Sequence, residues 1–128
     1  MRKFVVIIDD DIDEIEFLKH AIEEVDPSVR CTSFTSPQDA LQALSENDMR
    51  MPDVICVDYN MPILTGIDCL RLFGALSKLN HTKMVASSSH LPTSLEQDFR
   101  NHGASYVFQK PTTATAYHKI AALILDAA

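Results

Sequence analysis

The chain has 128 residues, 46% hydrophobic and 23% charged, the size and make-up of one soluble globular domain spanning 1–128. Eleven Lys and Arg against eighteen Asp and Glu give a formal charge of −7, the wrong sign for holding a phosphate backbone, which excludes nucleic acid as a direct partner. No apolar run reaches membrane-spanning length, and the apolar stretch after Met1-Arg2-Lys3 ends in acids with no cleavage site, so the chain reads as cytoplasmic, without membrane attachment.

Lys3 to Ile8 predicts a first strand whose continuous apolar run places it inside a sheet. Asp9-Asp10-Asp11 ends it. Ile15, Leu18, Ile22 and Val25 then recur at helical spacing, and Asp26-Pro27 stops that helix. Val29 to Phe34 is a more polar second strand, placed at an edge. Ser36-Pro37-Gln38-Asp39 opens a second helix with Ala40, Leu41 and Leu44 inward, and Asn47 to Pro52 is a polar link. Val54 to Val57 is a third strand, too short for a helix and apolar enough to be buried on both faces. It ends at Asp58, before Tyr59-Asn60-Met61-Pro62.

Thr65-Gly66 begins a third helix with Ile67, Leu70, Phe73 and Leu76 or Leu79 as its stripe, Gly74 weakening it only modestly. Lys83 to Ser87 is a fourth strand, and Ser87-Ser88-Ser89 follows at its end. Thr93 to Glu96 has capping-box spacing for a fourth helix, anchored by Leu95 and Phe99 and stopping at Gly103. Tyr106 to Gln109 is the fifth strand, followed by Lys110-Pro111. Thr112 or Thr113 caps a last helix with Tyr117, Ile120, Ala121 and Ile124 on one face; Leu123 and Leu125 read as peripheral core rather than a partner surface. Five strand-then-helix units in series make an α/β domain, a parallel sheet with helices on both faces.

The polar ends of these strands are Asp9-Asp10, Asp58, Ser87-Ser88 and Lys110, and in a parallel sheet they share one edge. If the first and third strands are neighbours, the crevice between them is the switch point of the topology, and Asp9, Asp10 and Asp58 meet there. Two carboxylates about 4 Å apart repel by roughly 4 kcal/mol at an effective dielectric near 20, so a counter-charge is implied. Oxygen-only ligands favour Mg²⁺, Lys110 adds a point charge for a phosphate oxygen, and Ser87 or Ser88 adds a hydroxyl. These parts suit phosphoryl transfer onto Asp58, a reaction that needs charge neutralisation and positioning and little else from the protein.

With Ile7-Ile8-Asp9-Asp10, Val57-Asp58-Tyr59-Asn60-Met61-Pro62, Gly66, the strand-end hydroxyl, and Gly103-Ala104 ahead of Lys110-Pro111, the chain resembles a response-regulator receiver domain of the stand-alone chemotaxis type over its whole length. The resemblance implies a flavodoxin-like (βα)₅ fold with five parallel strands in the order 2-1-3-4-5. It implies that Asp58 receives phosphate from a sensor histidine kinase or a histidine phosphotransfer protein. Asp9, Asp10, Asp58 and the Asn60 carbonyl would hold Mg²⁺, and Lys110 would contact the phosphoryl group. Ser88 becomes the switch hydroxyl, with Ser87 the one-residue alternative, while Asn60 and His90 take positions that tune hydrolysis. Val107 stands where Tyr or Phe usually reports phosphorylation, and strand alternation turns Tyr106 and Phe108 to the opposite face. With no DNA-binding or catalytic domain attached, output runs through protein contacts around the fourth helix, fifth strand and last helix, with a homodimer through that helix left open.

Two other functions compete. Ile7-Ile8-Asp9-Asp10-Asp11 also fits the strand-then-Asp-x-Asp start of a haloacid-dehalogenase-type phosphatase with Asp9 as nucleophile, but this leaves Asp58 unexplained. A pseudo-receiver that binds partners without phosphorylation would usually have lost a site residue, and here all are present. Asp9, Asp11 and Asp13 alternate as in a Ca²⁺-binding loop, but Glu14 and His20 stand where that loop needs Gly and Glu, so Asp11 and Asp13 serve the helix start. His20, His81, His102 and His118 read as solvated surface, and Cys31, Cys56 and Cys69 as free thiols within apolar segments.

Overall fold

The computed structural model describes residues 2–46 and 50–128. The elements run β1 (Phe4–Ile8), α1 (Ile12–Val25), β2 (Arg30–Phe34), α2 (Pro37–Ser45), β3 (Val54–Asp58), α3 (Gly66–Gly74), a 3₁₀ turn (Ser77–Leu79), β4 (Lys83–Ser88), α4 (Thr93–Asn101), β5 (Ala104–Gln109) and α5 (Ala114–Ala127). All strand pairs are parallel, in the order β2-β1-β3-β4-β5. This is the flavodoxin-like arrangement expected. β1 and β3 are neighbours, buried at every residue, because continuous apolar runs are stable only where helices cover both sides of the sheet.

The two faces carry separate cores. Ile15, Leu18 and Ile22 of α1 and Tyr117, Ala121 and Ile124 of α5 pack on Val5, Ile7, Val54, Cys56 and Val85. The opposite face packs Leu44 of α2, Leu70 and Phe73 of α3 and Phe99 of α4 on Phe4, Val6, Ile8, Ile55 and Ala86. Helices α1 and α2 thus leave β1 and β2 toward opposite sides, which makes the β1/β3 crevice the switch point.

Local chemistry sets the helix starts. Asp11 caps α1 by accepting from the amides of Asp13 and Glu14, Ser36 caps α2 by accepting from Asp39, and Thr113 caps α5 by accepting from Ala116. Thr65 and Asp68 form a reciprocal capping box at α3.

Several expectations are corrected. Helix α3 ends at Gly74, and Leu76 and Leu79 lie beyond it, Leu79 reaching the core from the 3₁₀ turn. Pro92, not Thr93, occupies the N-cap of α4 without a side-chain cap. Leu125 is core at 6% exposure, whereas Leu123 is 49% exposed. His102 is half-buried with its Nδ1 2.8 Å from the Asp98 carbonyl, while His20, His81 and His118 lie exposed as expected. The first half of the predicted Asn47-to-Pro52 link lies outside the described residues. Between β4 and β5 the register shifts: Met84 faces Ala104 but Val85 faces Tyr106, leaving Ser105 as an extra residue.

Candidate functional site

The C-terminal ends of β1, β3 and β5 deliver Asp9, Asp58 and Lys110 to one point. Asp9 and Asp58 are 5% and 3% exposed, and the Lys110 side chain is 11% exposed. Lys110 Nζ donates to Asp9 Oδ2 at 2.7 Å and lies 3.2 Å from Asp58 Oδ1. Asp9 Oδ1 accepts from the Asp11 amide at 3.0 Å, so both oxygens of Asp9 are occupied. Asp58 Oδ1 receives only the ion-pair approach of Lys110. It is the one buried side-chain polar atom among the described residues without a hydrogen-bond partner.

Electrostatics follow from burial. Asp58 is pushed up to about 6, first by burial and then by the neighbouring Asp9 charge, with Lys110 opposing. Asp9 is raised by burial, which its bonds to Lys110 and Asp11 only partly offset. Burial alone would lower Lys110, but the bond to Asp9 and the charges of Asp9 and Asp58 outweigh it and hold the ammonium above its ordinary range.

Asp10 is exposed, and it, Asp9 and Asp58 each offer an oxygen within 4.8 Å of the others. Three carboxylates against one ammonium leave two negative charges uncompensated, the charge of one divalent cation. All-oxygen donors at this spacing fit Mg²⁺. Gly66 completes the floor: a Cβ there would stand 2.9 Å from the Asp58 carbonyl oxygen and 3.0 Å from Tyr59 Cα, so only glycine lets α3 begin this close to the acidic turn.

The predicted hydroxyls are placed differently. Ser87 is the register partner of Asp58, and both Ser87 and Ser88 are buried. Ser88 Oγ donates to the His90 carbonyl at 2.7 Å and accepts from the His90 amide at 3.3 Å, so it is bonded into the loop before α4 and not to Asp58. Asn60 and His90, both exposed, line with Ser88 a cavity of about 370 Å³ bounded by Tyr59, Leu95 and Asp98.

A family model described as the response regulator receiver domain matches residues 5–122. The chain belongs to that family. Among curated relatives, it is 33% identical over 67 residues, 52% of the chain, to a cyclic di-GMP phosphodiesterase response regulator, RpfG, of Xanthomonas campestris pv. campestris (strain 8004). It is 28% identical over 120 residues, 92% of the chain, to protein-glutamate methylesterase/protein-glutamine glutaminase 1 of Syntrophus aciditrophicus (strain SB). The matches span only 17% and 33% of those two relatives' lengths. The receiver is similar in fold to the phosphorylated cyanobacterial phytochrome response regulator RcpA, with a TM-score of 0.87 at 16% identity, covering 100% of this chain and 97% of that one. The Asp9, Asp10 and Asp58 cluster is the Mg²⁺ site of receivers, consistent with Mg²⁺-dependent phosphorylation and signalling.

Every member of this cluster was legible in the sequence, where Tyr117 stood only in the stripe of the last helix and Tyr59 only in the turn after Asp58. Tyr59 lines the cavity and packs edge-on against Phe99, with ring centroids 5.8 Å apart. Tyr117 donates a hydrogen bond to Glu14, tying α5 to α1 beside the acidic turn. Its only local signal was an aromatic on the buried face of a helix; the partner lies 103 positions away.

Proposed function

We propose that this receiver is the phosphoacceptor of a two-component phosphorelay, that residues 1–128 act as one unit in the cytoplasm, and that Asp58 takes the phosphoryl group from a sensor histidine kinase or histidine phosphotransfer protein. The observation that carries the assignment is the contrast between the two buried carboxylates. Asp58 has an oxygen free of hydrogen bonds, whereas both oxygens of Asp9 are engaged by Lys110 and the Asp11 amide. A carboxylate already saturated with donors is a poor nucleophile, and this disfavours the phosphatase reading built on Asp9.

An oxygen of Asp58 attacks phosphorus in line, the P–N bond to the donor imidazole breaks with its electron pair, and the imidazole is left to take up a proton. Asp9, Asp10 and Asp58, together with the main-chain carbonyl of Asn60, would hold Mg²⁺, which when bound would neutralise charge on the phosphoryl oxygens. Lys110 moves its bond from Asp9 to a phosphoryl oxygen. Ser88 is the switch hydroxyl in preference to Ser87, because its Oγ is bonded to the loop before α4, so drawing it to the phosphate breaks both of its bonds to that loop. Water later hydrolyses the acyl phosphate, with Asn60 and His90 bordering its approach. Downstream output runs through protein contacts.

Incubation with acetyl phosphate and Mg²⁺ should add one phosphoryl group to the intact protein and none to Asp58→Asn, read by mass spectrometry. Equal labelling of the variant, or a label mapped to Asp9, would overturn the assignment.

A further inference from the structure

Tyr59 follows the phosphoacceptor directly, and its backbone is pinned on both sides. Its amide donates to the Ser87 carbonyl at 2.8 Å, and its own carbonyl accepts from Gly66 at 3.1 Å and Met61 at 3.2 Å. The backbone is therefore fixed between β4 and α3, and the side chain is the part left to move. One edge of the half-buried ring meets Phe99, a fully buried residue of α4, at 5.8 Å and an interplanar angle of 89°. The ring also borders the cavity of about 370 Å³ shared with Ser88, His90 and Leu95, which gives it room on that side.

Ser88 lines the same cavity and is tied to His90 by paired bonds. Those bonds and a phosphate on Asp58 compete for one hydroxyl. When the phosphate wins, the segment leading to α4 is released, and Tyr59 both borders the cavity that this segment lines and touches the buried Phe99 of α4. Val107 packs in the same core as Phe99 but carries no aromatic ring and does not line the cavity.

We propose that Tyr59 is the positioning residue through which phosphorylation of Asp58 reaches α4, its edge-on contact with Phe99 replacing the aromatic side chain that Val107 does not supply. This rests on the phosphoacceptor reading above. A packed pair poised between two arrangements is the kind of element that transmits such a change.

The test uses the full chain with acetyl phosphate and Mg²⁺, comparing wild type, Tyr59→Leu, Tyr59→Phe, Phe99→Leu and the Tyr59→Leu/Phe99→Leu double variant. Mass spectrometry first scores labelling, and absence of label in wild type would overturn the phosphoacceptor reading itself. Hydrogen exchange over residues 91–101 is then compared between phosphorylated and unphosphorylated protein. In wild type and Tyr59→Phe, phosphorylation should change the exchange rates by about threefold or more, a coupling of ordinary size for packed routes. Tyr59→Leu should label as fully as wild type yet lose most of that change, and the double variant should lose no more than Tyr59→Leu. A merely structural role would shift exchange equally in both states and leave their ratio intact. A wild-type ratio in Tyr59→Leu, or a labelled wild type with no change over this segment, would overturn the relay.

Discussion

Asp58 illustrates how one residue can be costly to the fold and necessary to the site. A carboxyl whose folded pKa is raised favours its protonated form in the native state. Its cost is therefore absent below the unfolded value, grows as pH rises toward the folded value of about 6, and is complete above it. In metal-free buffer near pH 7, Asp58→Asn should therefore stabilise the protein by about 2 kcal/mol, with part of the gain offset by lost pairing to Lys110, and the difference should vanish below about pH 4. Urea unfolding at several pH values measures it; a gain that grows on acidification would refute the sign. Burial acts on thiols in the same direction: it pushes Cys69 up to about 12. Neither Cys69 nor the fully buried Cys56 should react with iodoacetamide at pH 8 unless the chain is unfolded, as peptide mapping would show. At this scale the sequence made the titrating cluster visible, because acids that end apolar strands have few other reasons to be there. The pairing of Lys110 with Asp9 was not visible, since it depends on geometry between strands at opposite ends of the chain.

The start of α3 is the element on which the acidic turn rests. Its capping box satisfies two amides, so Thr65→Ala should cost about 1 kcal/mol in thermal or chemical unfolding. The bonds from Thr65 hold the Asp68 carboxyl below its ordinary range. A depressed carboxyl contributes stability above its unfolded pKa and loses it as pH falls through the folded one, so the destabilisation by Asp68→Asn should be present at neutral pH and disappear in acid. Gly66→Ala acts on the same turn by pressing a methyl group onto the Asp58 backbone, and should lower both stability, by about 1 to 3 kcal/mol, and the rate of labelling by acetyl phosphate. A variant with normal labelling kinetics would show that the turn yields without consequence. Element boundaries were the least legible part of the sequence. Leu76 and Leu79 continue the spacing of Phe73, but the chain leaves the helix at Gly74 and returns Leu79 to the core through a tighter turn, so periodicity outlived the helix. At α4, Thr93 and Glu96 have box spacing, yet Pro92 already supplies the carbonyl that accepts from Leu95 and Glu96, which moves the start one residue earlier.

For the whole molecule, the excess negative charge at one edge of the sheet links stability to divalent cation. Mg²⁺ should raise the melting temperature, and Asp10→Asn should largely abolish the rise; an equal shift in both proteins would remove Asp10 from the metal site. The sheet order was legible because Phe4–Ile8 and Val54–Asp58 are too apolar for any position but the middle, while Arg30–Phe34 is polar enough only for an edge. The separation of α1 and α5 from α2, α3 and α4 follows once connections are right-handed. The extra residue Ser105 has a consequence for how copies of the protein behave in concentrated solution. β5 is a terminal strand, and a straight terminal strand is a template on which another molecule can lengthen the sheet. The bulge twists the row of amides and carbonyls near its start, so an incoming strand meets a broken register. Deleting Ser105 would straighten that row, and light scattering should then show concentration-dependent aggregation that the intact chain resists.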